Sequence, residues 1–226
     1  MPEHLSNIEQ HYRGERGQVY YTLIAADEFT QQVISRERCR KTQPYIRPSD
    51  RVLEFGVGGG YNLRLLSCRE KWGYDLNEAG RCDCEKFGIH FLTNLDRADL
   101  GCFDAVLCHH VLEHTADPLA MLDRMKKLLG HNGRLLLYVP HETRRRYRNY
   151  RAHDPNQHLF SWNAQSLGNL VAAAGFRIET IKVRPFSYER RLAFLARLSL
   201  FLYRAGLFFL RLLRPENEIF LLAGRN

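Results

Sequence analysis

Short apolar runs that are rich in β-forming residues alternate with amphipathic runs along the chain from about residue 50 onward. Strands are predicted at residues 51–55, 71–74, 90–93, 103–108, 135–139, 177–183 and 218–223. Helices are predicted from the glycine-rich residues 56–60 through Cys68, at 77–87, at about 117–129 and from about 163 to Ala174. This alternation predicts an α/β fold in which a doubly wound, mostly parallel seven-stranded sheet is covered by helices.

Two helical segments fall outside this alternation. The polar residues 1–48 predict an N-terminal helical cap, with helices at 4–12 and 20–40 that end before Pro44 and Pro48. Residues 186–215 predict a helical insertion before the last strand, which belongs to residues 216–226. With the core at 49–185, the whole chain is expected to form one domain.

The composition is that of a globular protein, and its charge is unevenly distributed. The 226 residues are 45% hydrophobic and 26% charged, which excludes disordered and collagen-like chains. Residues 144–214 hold 14 basic and 3 acidic residues (14 − 3 = +11), so the rest of this +8 chain carries 8 − 11 = −3. An anionic partner is therefore expected to meet this segment. The N-terminus lacks a secretion-signal pattern, which predicts a cytoplasmic protein whose six cysteines are free thiols.

A glycine-rich segment follows the first predicted strand. Gly56, Gly58 and Gly60 allow a tight turn and let a ligand approach the backbone closely. Glu54 lies two residues before the first glycine. Asp75 ends the second predicted strand, 19 residues after Gly56, where a carboxylate can accept both hydroxyls of a ribose. Together these residues predict a nucleotide-like ligand at this edge of the sheet.

The order of the motifs along the chain is typical of one enzyme family. The motifs are E-x-G-x-G-x-G at 54–60, GYD at 73–75, FDAVLCHHVLEH at 103–114, LLGHNGRLLLYVP at 128–140, and HLFSW followed by AGF over 158–176. From about residue 50 to 185 the chain thereby resembles class I S-adenosylmethionine-dependent methyltransferases, and in particular the subgroup of ubiquinone-type O-methyltransferases. The alternatives are a dehydrogenase-like nucleotide domain, which gives no reason for the VLEH block, and a cofactor domain that binds nothing.

The resemblance implies a Rossmann-like methyltransferase fold, S-adenosylmethionine as the cofactor, and contacts from nine residues. These are Glu54, Gly56, Val57 and Gly58 at the methionine part, His109 at its carboxylate, Asp75 at the ribose, and Leu76, Asn94 and Leu95 at the adenine. The acidic residue that the family usually has in the adenine segment is absent here. Loop amides suit the carboxylate of the methionine part.

A hydroxyl acceptor needs a base, and histidine is the usual group near neutral pH. The predicted topology brings His109, His110, His141 and His158 to the carboxyl edge of the sheet. Of these, His110 and His141 are the predicted catalytic residues. For each of them, a hydrogen-bonding role without catalysis is the alternative.

The segment from His110 to His114 also spells H-x-x-E-H. The zinc-protease motif of that form needs both histidines on one helix face, whereas here they span a strand-to-helix junction, so a protease is not predicted. Some ubiquinone-type relatives bind a divalent metal through Glu-x-x-Glu-His. Glu113 and His114 match that block and His110 replaces its first glutamate. Metal use is therefore left open, beside a role of Glu113 and His114 in bracing the loop.

Arginines dominate the loop after the fifth predicted strand. Residues 144–151 read RRRYRNYR, which suits clamping a phosphate or carboxylate and suits equally a solvated loop. A basic patch is also the electrostatic footprint of nucleic-acid binding, but the chain contains no recognised RNA- or DNA-binding module. Nucleic acid is therefore not the favoured partner.

The helical insertion is apolar at 17 of the 22 positions from 192 to 213. Arg190, Arg197, Arg204 and Arg211 recur every seven residues, which predicts one narrow cationic stripe along a helix. Such a helix suits an anionic membrane surface through 190–214, with arginines reaching toward the head groups. A lid over the acceptor and a dimer interface are the alternatives. Gly206 is expected to divide the helix.

The predicted function is methyl transfer to a hydroxyl of a small-molecule, saccharide or lipid-linked acceptor, the last including quinone-like compounds. The predicted location is cytoplasmic and peripheral to a membrane. An RNA-modifying methyltransferase and a non-catalytic membrane-associated protein with an inherited cofactor fold are the alternatives. Retention of Glu54, Asp75 and the three glycines argues against the second.

Overall fold

The computed structural model describes residues 12–24, 26–95, 101–142, 149–150, 157–186 and 188–225. The strands are β1 (Arg51–Phe55), β2 (Glu70–Tyr74), β3 (His90–Leu92), β4 (Phe103–His109), β5 (Leu129–His141), β6 (Phe176–Pro185) and β7 (Asn217–Arg225). The α-helices are α1 (Gly14–Ile24), α2 (Glu28–Thr42), α3 (Arg81–Lys86), α4 (Pro118–Leu128), α5 (Ala164–Ala173) and α6 (Leu200–Leu213). Shorter 3-10 helices lie at Gln43–Tyr45, Glu78–Gly80, Leu112–His114 and Arg190–Arg197.

The strands form one seven-stranded sheet in the order β3-β2-β1-β4-β5-β7-β6. β1 to β5 are parallel to one another, and β7 pairs antiparallel with both β5 and β6. The predicted doubly wound, mostly parallel sheet is thus confirmed. The chain order reverses between β1 and β4, which is where open α/β sheets bind ligands.

The sheet buries apolar side chains on both faces. Along β5, Leu135, Leu137 and Val139 belong to one core cluster, whereas Leu136 and Tyr138 belong to the other. This alternation follows the two-residue period of a strand. A sheet covered on both sides needs near-continuous apolar strands, and β4 and β5 have them.

The helix predicted between the glycine segment and Cys68 is wrong, since residues 61–65 form turns and 66–68 have no regular structure. Asn62 is buried and its side-chain amide donates to the Glu54 carboxylate. Further on, the side chain of Gln43 accepts from the Ser67 amide (2.7 Å) and donates to the Ser67 carbonyl oxygen (3.1 Å). Asn62 is thus held inward by Glu54, and Gln43 satisfies the backbone groups of Ser67. Because of these contacts the segment does not form the hydrogen bonds of a continuous helix.

The N-terminal cap contains two helices within residues 12–42 where one was predicted at 20–40. The break falls between α1 and α2, and the side chain of Asp27 caps α2 by accepting from the Thr30 amide at 3.1 Å. An aspartate at this position satisfies a backbone donor that the helix itself leaves free. The helix predicted at 4–12 lies outside the described residues, except for Tyr12.

The insertion is also divided, but not at the predicted place. The break precedes Ser199, whose hydroxyl accepts from the Phe201 amide and starts α6. Gly206 lies inside α6, where a side chain would approach Leu195 to 2.9 Å. This glycine therefore permits close packing between the two parts of the insertion.

The predicted arginine stripe of the insertion faces the protein. Arg204 pairs with the buried Glu37 of α2 at 2.9 Å, and Arg211 donates to the carbonyl oxygen of Phe186. Arg197 lies 4.9 Å from the ring centre of a phenylalanine in α2. The expectation that the stripe reaches toward lipid head groups is wrong for these three arginines, because α2 holds Arg204 and Arg197 through an anion and a ring, and a backbone carbonyl holds Arg211. None of the described helices combines the length and the apolarity that a membrane crossing requires.

Candidate cofactor and acceptor site

A cavity of about 660 Å³ opens at the carboxyl ends of β1, β2 and β4. The structure brings most of the predicted cofactor residues and one predicted base to its wall. They are Gly56, Val57, Gly58, Asp75, Leu76, His109 and His110. The facing wall comes from α2, with Gln31, Ile34 and Arg38, and from the start of the insertion, with Tyr188 and Arg190. The cavity therefore lies between the sheet edge, the cap and the insertion.

The glycine segment forms a tight loop over the end of β1. Gly56, Gly58 and Gly60 have φ angles of 76°, 51° and 77°, in the region that favours glycine. The amides of Gly56 and of the following residue donate to the carbonyl oxygen of Tyr74 (2.8 and 3.0 Å). A side chain at Gly56 would collide with Val111. These glycines keep the floor of the cavity lined by bare backbone.

Asp75 ties the glycine loop to the end of β2. Its two carboxylate oxygens accept from the amides of Gly58 and Asn77, both at 2.8 Å. Burial raises the pKa of Asp75, although these hydrogen bonds oppose the rise. Each carboxylate oxygen has a second lone pair, so both can still accept a hydroxyl from a ligand in the cavity.

Glu54 lies at the C-terminal end of β1 and is fully buried. One of its oxygens accepts from Asn62, which lines the cavity, and the other oxygen has no hydrogen-bond partner. Burial raises the pKa of Glu54 to about 8. Glu54 itself does not line the cavity, so it lies behind the loop. A buried carboxylate with one unsatisfied oxygen fits the ammonium group of the methionine part of S-adenosylmethionine.

Besides Glu54, three predicted site residues do not line the cavity. Asn94 is exposed, and Leu95 packs against the core. His141 belongs to β5, which continues past Pro140 and pairs His141 with Asn217 of β7. The predicted end of the fifth strand at residue 139 is therefore wrong, and His141 is part of the sheet rather than of a loop facing the cavity. Residues 96–100, next to the predicted adenine contacts, lie outside the described part of the chain.

β4 ends at His109 and His110 follows it directly. The rings of these two histidines are stacked, with centroids 4.3 Å apart. His110 has a φ of 57°, which is uncommon for a residue with a side chain. Lys41 Nζ lies 2.7 and 2.8 Å from the Glu218 oxygens and 2.8 Å from His109 Nε2. Glu218 Oε2 lies 3.5 Å from His110 Nε2. An ion pair thus supports both histidine rings from behind.

Burial and charge set the protonation of this cluster. Burial lowers the pKa of His110 despite the opposing Glu218, and burial together with Lys41 holds the pKa of His109 well below its usual range. Burial also lowers the pKa of Lys41 to about 8, although Glu218 raises it. Burial alone would raise the pKa of Glu218, but Lys41 and His110 outweigh it and lower it to about 2. At neutral pH both imidazoles are neutral and the ion pair is charged.

Three residues of the site were not predicted from the sequence, namely Lys41, Glu218 and Arg38. Glu218 could have been predicted, because it is a carboxylate at the start of an otherwise apolar strand. Such residues are rarely buried without a partner. Lys41 and Arg38 could not have been predicted, because they are two of many cations in a polar helix. Only packing shows that these two face inward.

Arg38 is a cation in the cavity wall that α2 and the start of the insertion form. One terminal nitrogen donates to the Tyr188 hydroxyl at 2.6 Å, and the guanidinium lies 4.7 Å from the centre of that ring. Its Nε is buried and has no hydrogen-bond partner. No carboxylate within the described residues forms an ion pair with Arg38. A half-buried guanidinium with an unused donor suits an anionic group.

A second polar cluster lies beside the cavity. The ligand atoms of Glu113, His114 and His158 lie within 4.8 Å of one another, a spacing that can hold a divalent ion. His110 is not a member of this cluster. Burial raises the pKa of Glu113 to about 8, and its carbonyl oxygen accepts from the amides of Leu159 and Phe160. These contacts use the backbone of Glu113, so the bracing role of the Glu113 and His114 side chains stays a prediction.

His109, His110 and Glu218 have a similar spacing. There the ammonium of Lys41 already occupies the position that an ion would need. The predicted arginine-rich loop lies outside the described residues, apart from Asn149 and Tyr150, which are exposed.

Similarity to known proteins shows to which family the chain belongs. A profile of the family described as "Methyltransferase domain" matches residues 26–181. A comparison with curated protein sequences finds no match.

Several solved structures are similar in fold. One is a Haemonchus contortus phosphoethanolamine N-methyltransferase 2 in complex with S-adenosyl-L-methionine (17% identity, 100% of this chain and 60% of that chain, TM-score 0.62). Another is a Burkholderia thailandensis 1,6-didemethyltoxoflavin-N1-methyltransferase (16% identity, 100% and 91%, TM-score 0.65). A third is an S-adenosylmethionine-dependent methyltransferase from Archaeoglobus fulgidus (19% identity, 86% and 94%, TM-score 0.58). The chain spans only 51% and 60% of the two similar Haemonchus chains.

The family match covers more than two thirds of the chain and includes the glycine loop, Asp75 and the end of β4. The sheet order and the neighbours agree with it. The chain belongs to the methyltransferase-domain family, with the Rossmann-like fold of the class I S-adenosylmethionine-dependent enzymes.

Proposed function

We propose that this chain transfers the methyl group of S-adenosylmethionine to a hydroxyl of a small acceptor that carries a phosphate or a carboxylate. The observation that supports the proposal most is that His110, neutral and backed by Glu218, lines the same cavity as the glycine loop and Asp75. A base, a cofactor loop and an enclosed volume are what the reaction needs.

In this proposal the cofactor lies along the glycine loop. The backbone of Gly56 to Gly58 and the nearby Glu54 hold the methionine part, and Asp75 accepts the ribose hydroxyls. When bound, S-adenosylmethionine supplies a methyl group that the sulfonium already activates. The chain therefore contributes mainly positioning and removal of one proton.

His110 is the proposed base. Its Nε2 faces the Glu218 carboxylate, which favours the proton on Nε2 and leaves Nδ1 to accept the hydroxyl proton. Glu218 then stabilises the imidazolium that results. Lys41 keeps Glu218 ionised and in place. His141 has no part in this mechanism.

Arg38 is the proposed anchor of the acceptor, because its buried Nε lacks a partner in the cavity wall. A similar Haemonchus structure contains phosphomonomethylethanolamine, a small phosphate ester. Free phosphate esters, phosphosaccharides and lipid-linked phosphates share the anionic group that Arg38 would recognise.

Calorimetric titration tests the cofactor assignment. We expect micromolar affinity for S-adenosylmethionine and S-adenosylhomocysteine and no binding of NAD. Binding of NAD alone would instead favour the dehydrogenase alternative, and absence of all binding would indicate a domain that has lost its cofactor.

Arg38→Gln tests the acceptor assignment once turnover is found in a screen of hydroxylated phosphate esters and carboxylates. We expect a higher KM for the acceptor and an unchanged Kd for S-adenosylmethionine. Arg36→Gln, on the exposed face of the same helix, is the matched control. A weakened cofactor Kd with an unchanged acceptor KM would place Arg38 at the methionine carboxylate instead.

A further inference from the structure

The outer side of α6 is an apolar surface. Six large side chains on it are between 43% and 81% exposed. They are Phe201, Leu202, Phe208, Phe209, Leu212 and Leu213. At the helical repeat these six fall within an arc of roughly 140° and form one continuous face. We call this set the α6 face.

The other side of α6 anchors it to the protein. Tyr203 and Leu207 are buried and pack with Val33 of α2. Two more exposed apolar side chains lie just before α6, Phe194 in the 3-10 helix and Leu198 directly after it. A contiguous apolar surface of this kind on a chain of this size marks an interaction site.

A groove of about 500 Å³ with both apolar and charged walls adjoins α6, between it and the 3-10 helix. Arg191, Arg211 and Arg214 line it, together with Glu189 and Glu216. The Nε of Arg211 is buried and has no hydrogen-bond partner. Arg191 and Arg214 are exposed, so the groove offers accessible cations next to an apolar surface, as an anionic amphiphile would require.

We propose that the α6 face and this groove dock the protein on an anionic lipid surface. The phenylalanine and leucine side chains enter the boundary between head groups and acyl chains, with the helix parallel to the surface. A lipid phosphate pairs with the exposed Arg191 and Arg214 of the groove. Residues 190–215 hold six arginines and no lysine, aspartate or glutamate, so the charge of the docking segment matches an anionic membrane.

The same charge argues against a second copy of this chain as the occupant. Two α6 faces brought together by a two-fold axis would place these arginine-rich segments against each other, and no acidic residue of the segment would offset the repulsion. An anionic membrane can contact both the apolar α6 face and the arginines of the groove.

Docking would place the acceptor side of the cavity near the membrane. Tyr188 and Arg190, in the cavity wall, belong to the same insertion as α6. Surface docking itself does not depend on the proposed methyl transfer, so the two can fail separately.

Vesicle co-sedimentation of the full chain tests the docking. The probes are vesicles of phosphatidylcholine alone and of phosphatidylcholine mixed with phosphatidylglycerol. We expect strong binding to the mixed vesicles, weakened by salt, and weak binding to the neutral ones. The combined change Phe201→Ser, Phe208→Ser and Leu213→Ser should lower the partition coefficient on mixed vesicles by at least about tenfold.

The matched control removes three exposed apolar side chains elsewhere, as Val19→Ser, Leu65→Ser and Leu119→Ser. It should leave vesicle binding unchanged. Changing Arg191 and Arg214 to Gln should reduce binding to mixed vesicles only. An unchanged affinity for S-adenosylmethionine in every variant shows that the fold is intact.

Three results would overturn the proposal. They are absence of binding to mixed vesicles, equal losses in the α6 and control variants, and binding that neither salt nor the arginine changes affect. Light scattering tests whether a second copy of the chain covers the α6 face instead. If the protein is a dimer that does not bind vesicles, and the α6 variant is a monomer, the face is a dimer interface.

Discussion

The buried ion pair between Lys41 and Glu218 allows a quantitative prediction. Glu218 is 1% exposed and Lys41 is 10% exposed, and their closest atoms are 2.7 Å apart. Their attraction at this distance and at an effective dielectric near 20 is about 6 kcal/mol, before any desolvation cost is subtracted. Lys41→Met would leave the carboxylate buried without its cation, so we expect a loss of about 3–5 kcal/mol in the free energy of unfolding.

The double change Lys41→Met and Glu218→Leu should be much less harmful than the sum of the single changes. Replacing both charges with apolar groups of similar size removes two desolvation costs together with the attraction. We therefore expect a coupling energy of at least about 3 kcal/mol in the double-mutant cycle. Urea unfolding of all four proteins measures it, with unchanged m-values as the condition for comparison.

Lys127 and Asp123 provide the matched control. Their atoms are also 2.7 Å apart, but the side chains are 62% and 54% exposed. The corresponding cycle should give only about 0.3–0.5 kcal/mol. If the buried cycle gave no more coupling than this exposed one, burial would not be what makes the Lys41–Glu218 pair important, and the reasoning would be refuted.

The remaining predictions concern the cofactor, the base and pH. Asp75→Ala should weaken S-adenosylmethionine binding by about 1–3 kcal/mol through lost hydrogen bonds, and an unchanged Kd by calorimetry would remove Asp75 from the site. His110→Gln should lower kcat by about 10²- to 10⁴-fold with cofactor Kd unchanged, whereas near-normal turnover would leave His110 as a wall residue only. The pKa of Glu218 is lowered from 4.5 to about 2, so its stabilisation should be complete above pH 4.5 and disappear as the pH falls toward 2. Urea unfolding across this range, compared with Glu218→Leu, checks it, and parallel pH profiles of the two proteins would contradict it.

Much of the fold could be predicted because its signals are local. Apolar runs and turn residues place six strands within two residues at each end, whereas β5 begins six residues before its predicted start. The glycine loop and Asp75 are set by backbone requirements that act over a few residues. Errors arose where side chains from distant segments intervene. Gln43 satisfies the backbone at Ser67 and removes a predicted helix. Pairing with β7 extends β5 and takes His141 away from the cavity.

The sequence by itself determined the α/β architecture, the family and the loop that would hold the cofactor. Only the tertiary structure decided which side of α6 is covered and what supports His110. Lys41 and Glu218 are 177 residues apart, and no local pattern relates them. Periodicity likewise shows that the insertion has a cationic stripe and an apolar face. It does not show that Glu37 of α2 would form an ion pair with Arg204 and that the phenylalanines and leucines would stay exposed. Which face a helix buries depends on what the rest of the chain offers it, and that is known only after the elements have packed.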